Sequence, residues 1–199
     1  MIREFSFKDP FPKDITILTT SVDLPHREIA EFCKDSLKES FKGRYTSYFD
    51  SKLNSHKLTN RMPHWRQLER CITVGAKMFL DEQEVDSGRY QDHVSAWWSV
   101  YNEHDFHTFH THPKSCVAGT YYPYADEESC PLVFKSPLYV TAGMCEPNSE
   151  RCSGWQHRIK PETGMMLFWN PWLEHQIGPQ GPQTGEFQRT AISFNFGRA

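Results

Sequence analysis

The stretch GMMLFWNPWLEHQIGP, residues 164–179, contains two short apolar runs separated by a turn signal. The runs GMMLFW and LEHQI have the length of strands, and Asn, Pro and Gly between and after them favour turns. The same texture extends over the chain from about Val94, where the further runs are VSAWWSVY, CVAGTYY, PLVF, PLYVTAG and TAISFNF. Seven short strands of this kind predict an antiparallel sandwich or barrel.

The first half of the chain has a helical pattern instead. Apolar residues recur at three- and four-residue intervals over residues 25–41 and again over 63–84, each behind a proline, so both segments predict amphipathic helices. Residues 43–62 have no period and predict an irregular connection. We therefore expect an α+β protein and one domain, 1–199, in which a helical buttress over 1–90 braces an antiparallel β-barrel over 91–199.

The composition limits the classes of binding partner and the cellular compartment that we expect for this protein. The net charge is -3, so no basic field exists that would bind nucleic acid, and no apolar run is long enough to span a membrane. We expect a soluble, cytoplasmic protein. Its six cysteines include no CxxC pair. Cys130, Cys145 and Cys152 are near enough in sequence for a disulfide or a metal clip, but a reducing cytosol favours free thiols.

Histidines are concentrated in NEHDFHTFHTHP, residues 102–113, which holds four of the ten in the chain. Thr and Phe favour extended backbone there, so HTFHTH predicts a strand with His110 and His112 on one face and His107 on the other. A helical reading would instead align His104, His107 and His110. His175, in the run LEHQI, is the candidate for a third metal ligand, and His157 in a polar segment is its competitor.

Three histidines on one side of a ferrous ion leave adjacent coordination positions open for a co-substrate and dioxygen. A second candidate group follows in RTAISFNF, where a strand would place Arg189, Ala191, Ser193 and Asn195 on one face. The guanidinium there can bind a carboxylate with two hydrogen bonds. The alternative is a solvent-facing arginine at the start of a strand.

Together, the blocks HTHPKSCVAGTYY, PLVFKSP, RIKPETGMMLFWNPWLEHQIGP and RTAISFNF resemble the 2-oxoglutarate/Fe(II)-dependent oxygenases. More narrowly, the sequence is similar to a bacterial and phage branch whose pattern contains H-x-H-P-x-S, S-G-x-Y-Y, P-x-x-G-x-x-x-x-F-P-x-x-x-x-H and R-x-x-x-S-F-N. The resemblance covers residues 97–197. It implies a double-stranded β-helix, the jelly roll that cupins share, with Fe(II) at its open end and 2-oxoglutarate as co-substrate.

The resemblance also implies roles for particular residues. The implied iron ligands are His110, His112 and His175, and Arg189 would bind the distal carboxylate of 2-oxoglutarate. Tyr122 or its neighbour Tyr121 would add a hydroxyl, and Ser193 and Asn102 are further candidates for that pocket. Trp97, Trp98, Phe168 and Trp172 are candidates for an aromatic lining.

This sequence departs from the family pattern at several of these positions. His112 stands where most of the superfamily has an acidic residue, which leaves the ferrous site at formal charge +2 instead of +1. Either three histidines bind the iron, or a carboxylate enters from elsewhere, because strand alternation directs Glu174 and Asp105 away from the face of the ligands. Ala118 replaces a serine, Trp169 and Asn170 replace the F-P pair, and Ala191 stands where a serine is common.

The function implied is a dioxygenase that hydroxylates an unidentified small molecule or protein side chain and releases succinate and carbon dioxide. Two alternatives stay open on the sequence alone. One is a cupin-type three-histidine iron dioxygenase that uses no 2-oxoglutarate, and the other is a non-catalytic metal-binding barrel.

Overall fold

The computed structural model describes residues 16–36, 61–137, 156–182 and 188–197. Two helices precede most of the strands: α1 is His26–Ser36 and α2 is Trp65–Glu82, with a 3-10 turn at Ser87–Arg89. The strands are β1 Ile17–Ser21, β2 Val94–Tyr101, β3 His107–His110, β4 Val117–Tyr124, β5 Leu132–Lys135, β6 Gln156–Ile159, β7 Met165–Trp169, β8 His175–Ile177 and β9 Arg189–Phe196.

The strands form two antiparallel sheets. The major sheet has the order β1-β7-β4-β9-β2, and the minor sheet has the order β3-β8-β5-β6. Most neighbours in the sheets are not consecutive in sequence, since β8 lies between β3 and β5 and β9 lies between β4 and β2. These two sheets with helices against one of them confirm the expected α+β, double-stranded β-helix class.

Alternation along the major sheet creates two cores. On β4, Val117 and Tyr121 point to the helices, whereas Ala118 and Tyr122 point to the minor sheet. The outer core joins α1 and α2 to the major sheet, and it includes Ile29, Leu68, Ile72, Phe79, Phe168, Ile192 and Phe194. The inner core lies between the sheets, and it includes Tyr101, Tyr122, Leu132, Phe134, Leu167 and Trp169. The helices therefore brace the back of the sheet whose front lines the interior.

Six of the seven predicted strand runs form strands, namely those of β2, β4, β5, β7, β8 and β9. The seventh, PLYVTAG, lies outside the described residues from position 138 onward. The two helices begin within one or two residues of their predicted starts. The end of the first predicted helix and nearly all of the 43–62 connection lie outside the described residues.

Two strands were not predicted. β1, with the sequence ILTTS, and β6, with the sequence QHRI, each lie at one edge of their sheet, and neither contains a buried residue. An edge strand that buries little carries no apolar run, because its hydrogen bonds to one neighbour hold it in place. His157, the competitor of His175 in the sequence analysis, therefore lies exposed on an edge strand.

Cys33, Cys71, Cys116 and Cys130 are free thiols, as expected. Cys145 and Cys152 lie outside the described residues. Within the described ranges, neither helix has both the length and the apolar character that crossing a bilayer requires.

A close contact between strands predicts how Gly119 responds to substitution. A Cβ at Gly119 would lie 2.2 Å from the ring of Phe194 and 2.5 Å from the carbonyl oxygen of Leu167, whereas one at Gly178 would meet nothing within 4 Å. Because Phe194 is fully buried, we expect Gly119→Ala to lower the free energy of unfolding by about 1–3 kcal/mol. Gly178→Ala is the control, and urea denaturation measures both. Equal stabilities of the two variants would contradict this packing.

Candidate metal centre and co-substrate pocket

Three histidines converge at one end of the space between the sheets. His110, His112 and His175, hereafter the histidine triad, each offer a ring nitrogen, and these nitrogens lie within 4.8 Å of one another. His112 and His175 are buried and His110 is partly buried. The Nε2 atoms of His112 and His175 are 3.1 Å apart. No carboxylate belongs to this group within the described part of the chain.

The triad is assembled by backbone pairing. His110 lies directly opposite His175 in the β3–β8 ladder. His112 lies two residues beyond the end of β3, and its amide N–H donates to the carbonyl of Pro171 at 2.8 Å. That carbonyl belongs to the turn before β8, which Leu173 closes with a hydrogen bond to Asn170 at 2.9 Å. Both segments that carry the triad are therefore hydrogen-bonded to each other.

The predicted strand HTFHTH is shorter than expected and is irregular. β3 ends at His110, so His112 is not on it, and the helical reading of His104, His107 and His110 is wrong. His107 pairs with Ile177 and His110 pairs with His175, so three residue steps on β3 lie opposite two on β8. An extra residue of this kind is a β-bulge, and it reverses the alternation of side chains.

The bulge changes the position of His107. The sequence predicted that it would face away from His110, but the two rings stack with centroids 3.9 Å apart and planes at 20°. His107 therefore lies beside the triad as a neighbour of His110. His104 does not join it, because its side chain is 83% exposed and lies next to Glu103.

In two of the imidazole rings, a hydrogen bond at one nitrogen decides which nitrogen is available to bind a metal ion. Nδ1 of His110 lies 2.8 Å from the carbonyl of Thr108, and Nδ1 of His175 lies 2.9 Å from the carbonyl of Leu173. A carbonyl only accepts, so each Nδ1 carries the proton and donates it. The lone pair of each imidazole is then on Nε2, the atom that can bind a metal ion.

Burial keeps these imidazoles neutral. Burial, with a smaller contribution from the neighbouring His110, lowers the pKa of His112 to about 4 and that of His175 to about 2. Burial also lowers the pKa of His110, although its hydrogen bond with Thr108 opposes the shift. At neutral pH the triad is therefore unprotonated, as metal binding requires.

Arg189 is fully buried in the same interior, and so it is not the solvent-facing arginine of the alternative reading. Its guanidinium carbon lies 4.6 Å from the ring centre of Tyr101 and 5.3 Å from that of Tyr122. Nη2 donates to the Tyr122 hydroxyl over 3.5 Å. Burial raises the pKa of both tyrosines, with Arg189 opposing the shift, so their hydroxyls stay protonated and can donate. The sequence reasoning missed Tyr101, although it shares the inward face of VSAWWSVY with Trp97 and pairs directly with Arg189.

The structure does not bring the other pocket candidates to Arg189. Tyr121 faces the helices, and its hydroxyl lies 2.6 Å from Nδ1 of His26. Asn102 is exposed and donates through its backbone and its side chain to Asp105. Ser193 faces the interior opposite Trp97, but four residues along β9 place it about 13 Å from Arg189 along the strand.

Aromatic rings enclose the triad, and of the four expected residues Trp97 is among them, whereas the other three are not. Trp97 stacks on His112 with ring centroids 5.6 Å apart, whereas Trp98 and Phe168 belong to the outer core. Trp172 is 54% exposed. Trp169 lines the site instead, with its ring centroid 4.8 Å from that of His175.

The carboxylates that neighbour the triad in sequence bind other residues. Glu174 forms an ion pair with Lys135 at 2.9 Å, and buried Asp105 accepts the hydrogen bonds of Asn102. Both are the residues that strand alternation placed away from the triad.

A family model described as "Putative 2OG-Fe(II) oxygenase" matches residues 95–195, which are 101 of the 199 residues. The chain belongs to the 2-oxoglutarate/Fe(II)-dependent oxygenases. The cofactors of this oxygenase are accordingly Fe(II) and 2-oxoglutarate, and the matched segment contains the triad, Tyr122 and Arg189. Among proteins of curated function, none matches the sequence significantly.

Solved structures share the fold. A Pseudomonas putida prolyl-4-hydroxylase is 14% identical, with a TM-score of 0.53, over 93% of this chain and 89% of that one. HygX from Streptomyces hygroscopicus, solved with nickel and 2-oxoglutarate, is 11% identical, with a TM-score of 0.56, over 93% and 83%. A prolyl hydroxylase from Trichoplax adhaerens, in complex with a peptide fragment of hypoxia inducible factor, is 9% identical, with a TM-score of 0.54, over 92% and 83%. At these identities the similarity establishes the fold.

The buried imidazoles predict that the metal-free oxygenase loses stability in mild acid. Histidines of the unfolded chain titrate near pH 6.5, whereas burial holds the pKa of His112 at about 4 and that of His175 at about 2. The unfolded state therefore binds more protons below about pH 6.5, and the free energy of unfolding should fall as the pH drops from there towards about 4. Urea denaturation in the presence of a chelator at several pH values measures this.

His112→Gln should flatten this dependence, because it removes one of the groups that gains a proton on unfolding. His157→Gln, on exposed β6, is the matched control and should leave the slope of stability against pH as it is in the wild type. A wild-type stability that stays constant over this pH range would contradict the account.

Proposed function

We propose that this oxygenase binds Fe(II) through His110, His112 and His175, anchors 2-oxoglutarate through Arg189, and hydroxylates a C–H bond of its substrate. The observation that carries the proposal is the convergence of three neutral Nε2 donors in the same interior that holds a fully buried guanidinium. A dicarboxylate can therefore bind the metal ion at the triad through one end and the guanidinium through the other.

Two of the three donors already have the spacing of cis ligands on Fe(II). Cis ligands of an octahedral ion with bonds of about 2.1 Å lie about 3.0 Å apart, and the Nε2 atoms of His112 and His175 are separated by 3.1 Å. Imidazole is a ligand that iron accepts readily. The carbonyls of Thr108 and Leu173 orient His110 and His175 through Nδ1, which is the usual support for a histidine that binds a metal.

The interior also fits the far end of 2-oxoglutarate. Arg189 presents a planar set of donors that matches a carboxylate, and its burial strengthens that interaction. Tyr122, whose hydroxyl lies beside the guanidinium, can donate a further hydrogen bond to the same carboxylate. Tyr101 covers the other side of the guanidinium and holds its plane.

When bound, Fe(II) and 2-oxoglutarate supply the oxidising chemistry, in which R–H, dioxygen and 2-oxoglutarate give R–OH, succinate and carbon dioxide. The protein residues orient the metal through the triad, hold the co-substrate at Arg189, and exclude water with the rings of Trp97, Phe134 and Trp169. We propose a small molecule or a protein side chain as substrate, and the peptide-bound prolyl hydroxylase shows that this fold accommodates a peptide. Four free thiols favour a reducing compartment, so we propose that the reaction takes place in the cytoplasm.

Anaerobic titration with Fe(II) and then 2-oxoglutarate tests the proposal. We expect a visible metal-to-ligand charge-transfer band that requires both additions, and His175→Ala should abolish it. Arg189→Gln should raise the Kd for 2-oxoglutarate at least about tenfold, because a charge-assisted pair is lost. Iron binding without the band in the wild type would contradict the use of 2-oxoglutarate and favour a cupin-type site.

Two further variants separate binding from folding. Arg158→Gln removes an exposed arginine of β6 and should leave the Kd unchanged. Tyr122→Phe removes only a hydroxyl from a buried ring and should weaken 2-oxoglutarate binding by less than Arg189→Gln. Thermal unfolding of each metal-free variant checks that the fold is retained.

A further inference from the structure

Trp169, the last residue of β7, forms part of the wall of the metal centre. Its indole ring lies 4.8 Å from the ring of His175 and 6.3 Å from that of His112, and it meets both edge-on. The residue is 2% exposed. The indole therefore contacts two of the three proposed iron ligands from inside the barrel.

The polar atom of this ring has no protein partner. Nε1 of Trp169 is buried and, among the residues that the structure describes, no acceptor forms a hydrogen bond with it. An indole N–H can only donate, and a buried tryptophan usually finds an acceptor for it. A buried donor that the protein leaves unsatisfied beside a binding site indicates an acceptor on the molecule that binds there.

The surroundings of Trp169 explain why the protein supplies no acceptor. Phe134 meets the indole edge-on, with ring centroids 5.2 Å apart. On the neighbouring strand β4, the residue opposite Trp169 is Ala118. The imidazoles of His110 and His175 use Nδ1 as donors and direct Nε2 towards the metal site.

We propose that the indole N–H of Trp169 donates a hydrogen bond to 2-oxoglutarate, at the end of the molecule that meets the metal. This inference rests on the proposed function, since it requires the co-substrate to bind at the triad. A carboxylate is a strong acceptor for such a donor. Arg189 lies against Tyr101 and Tyr122 and serves the other end of the same molecule.

The test measures binding without turnover. In anaerobic Fe(II) protein, Trp169→Phe keeps an aromatic ring in the wall and removes the N–H, and we expect the Kd for 2-oxoglutarate to rise about tenfold. Trp98→Phe is the control, because it makes the same chemical change in the outer core, on the face of β2 that points away from the triad. It should keep the Kd within about twofold of the wild type. The charge-transfer band reports both Kd values.

A second measurement uses the unmodified chain. In the Zn(II) form, labelled with nitrogen-15 at its tryptophans, the indole N–H signal of Trp169 should move downfield when 2-oxoglutarate is added. The absence of one signal from Trp169→Phe assigns it. Succinate, which lacks the keto group, should move the signal less.

The outcomes distinguish this inference from the proposed function. If 2-oxoglutarate gives the band in the wild type but Trp169→Phe binds it equally tightly and the indole signal stays in place, the inference is wrong and the proposed function stands. If Trp98→Phe weakens binding as much as Trp169→Phe, the effect belongs to packing and the inference is also wrong. If the wild type gives no band, the proposed function fails and this inference fails with it.

Discussion

The pairing of β3 with β8 is the interaction on which the rest of the site depends. It places His110 opposite His175, and the hydrogen bond from His112 to Pro171 joins the end of one segment to the turn before the other. Neither strand exceeds four residues, so the pair is held by the inner core behind it rather than by its own length. The metal centre is therefore as rigid as the packing of the minor sheet against the major sheet.

Charge explains how three neutral ligands can serve this chemistry. With no carboxylate among the described ligand candidates, a bound ferrous ion keeps its full +2 charge. Doubly ionised 2-oxoglutarate carries -1 at each end. In the proposed complex the carboxylate at the metal would lower the local charge from +2 to +1, and the other carboxylate would pair with Arg189 in a medium of low dielectric. A site with a carboxylate ligand would attract the same dianion less strongly. As a proposed ligand, His112 would thus shift part of the charge balance from the protein to the co-substrate.

The sequence predicted the elements whose signal is local and missed those whose cause is a partner far along the chain. Apolar runs identified the buried strands, and the spacing of histidines identified the residues that converge. The edge strands β1 and β6 bury too little to show a pattern, and each exists because β7 or β5 pairs with it. The position of His107 depends on a bulge against β8, which no local pattern records. Tyr101 acquires its place beside Arg189 only through the β2–β9 register.

Anomalous diffraction at the iron edge, from crystals grown anaerobically with Fe(II) and 2-oxoglutarate, tests the proposed ligand set. We expect a single iron peak about 2.1 Å from Nε2 of His110, His112 and His175, with no protein oxygen among its ligands. An aspartate or glutamate oxygen in the place of one of these nitrogens would contradict it.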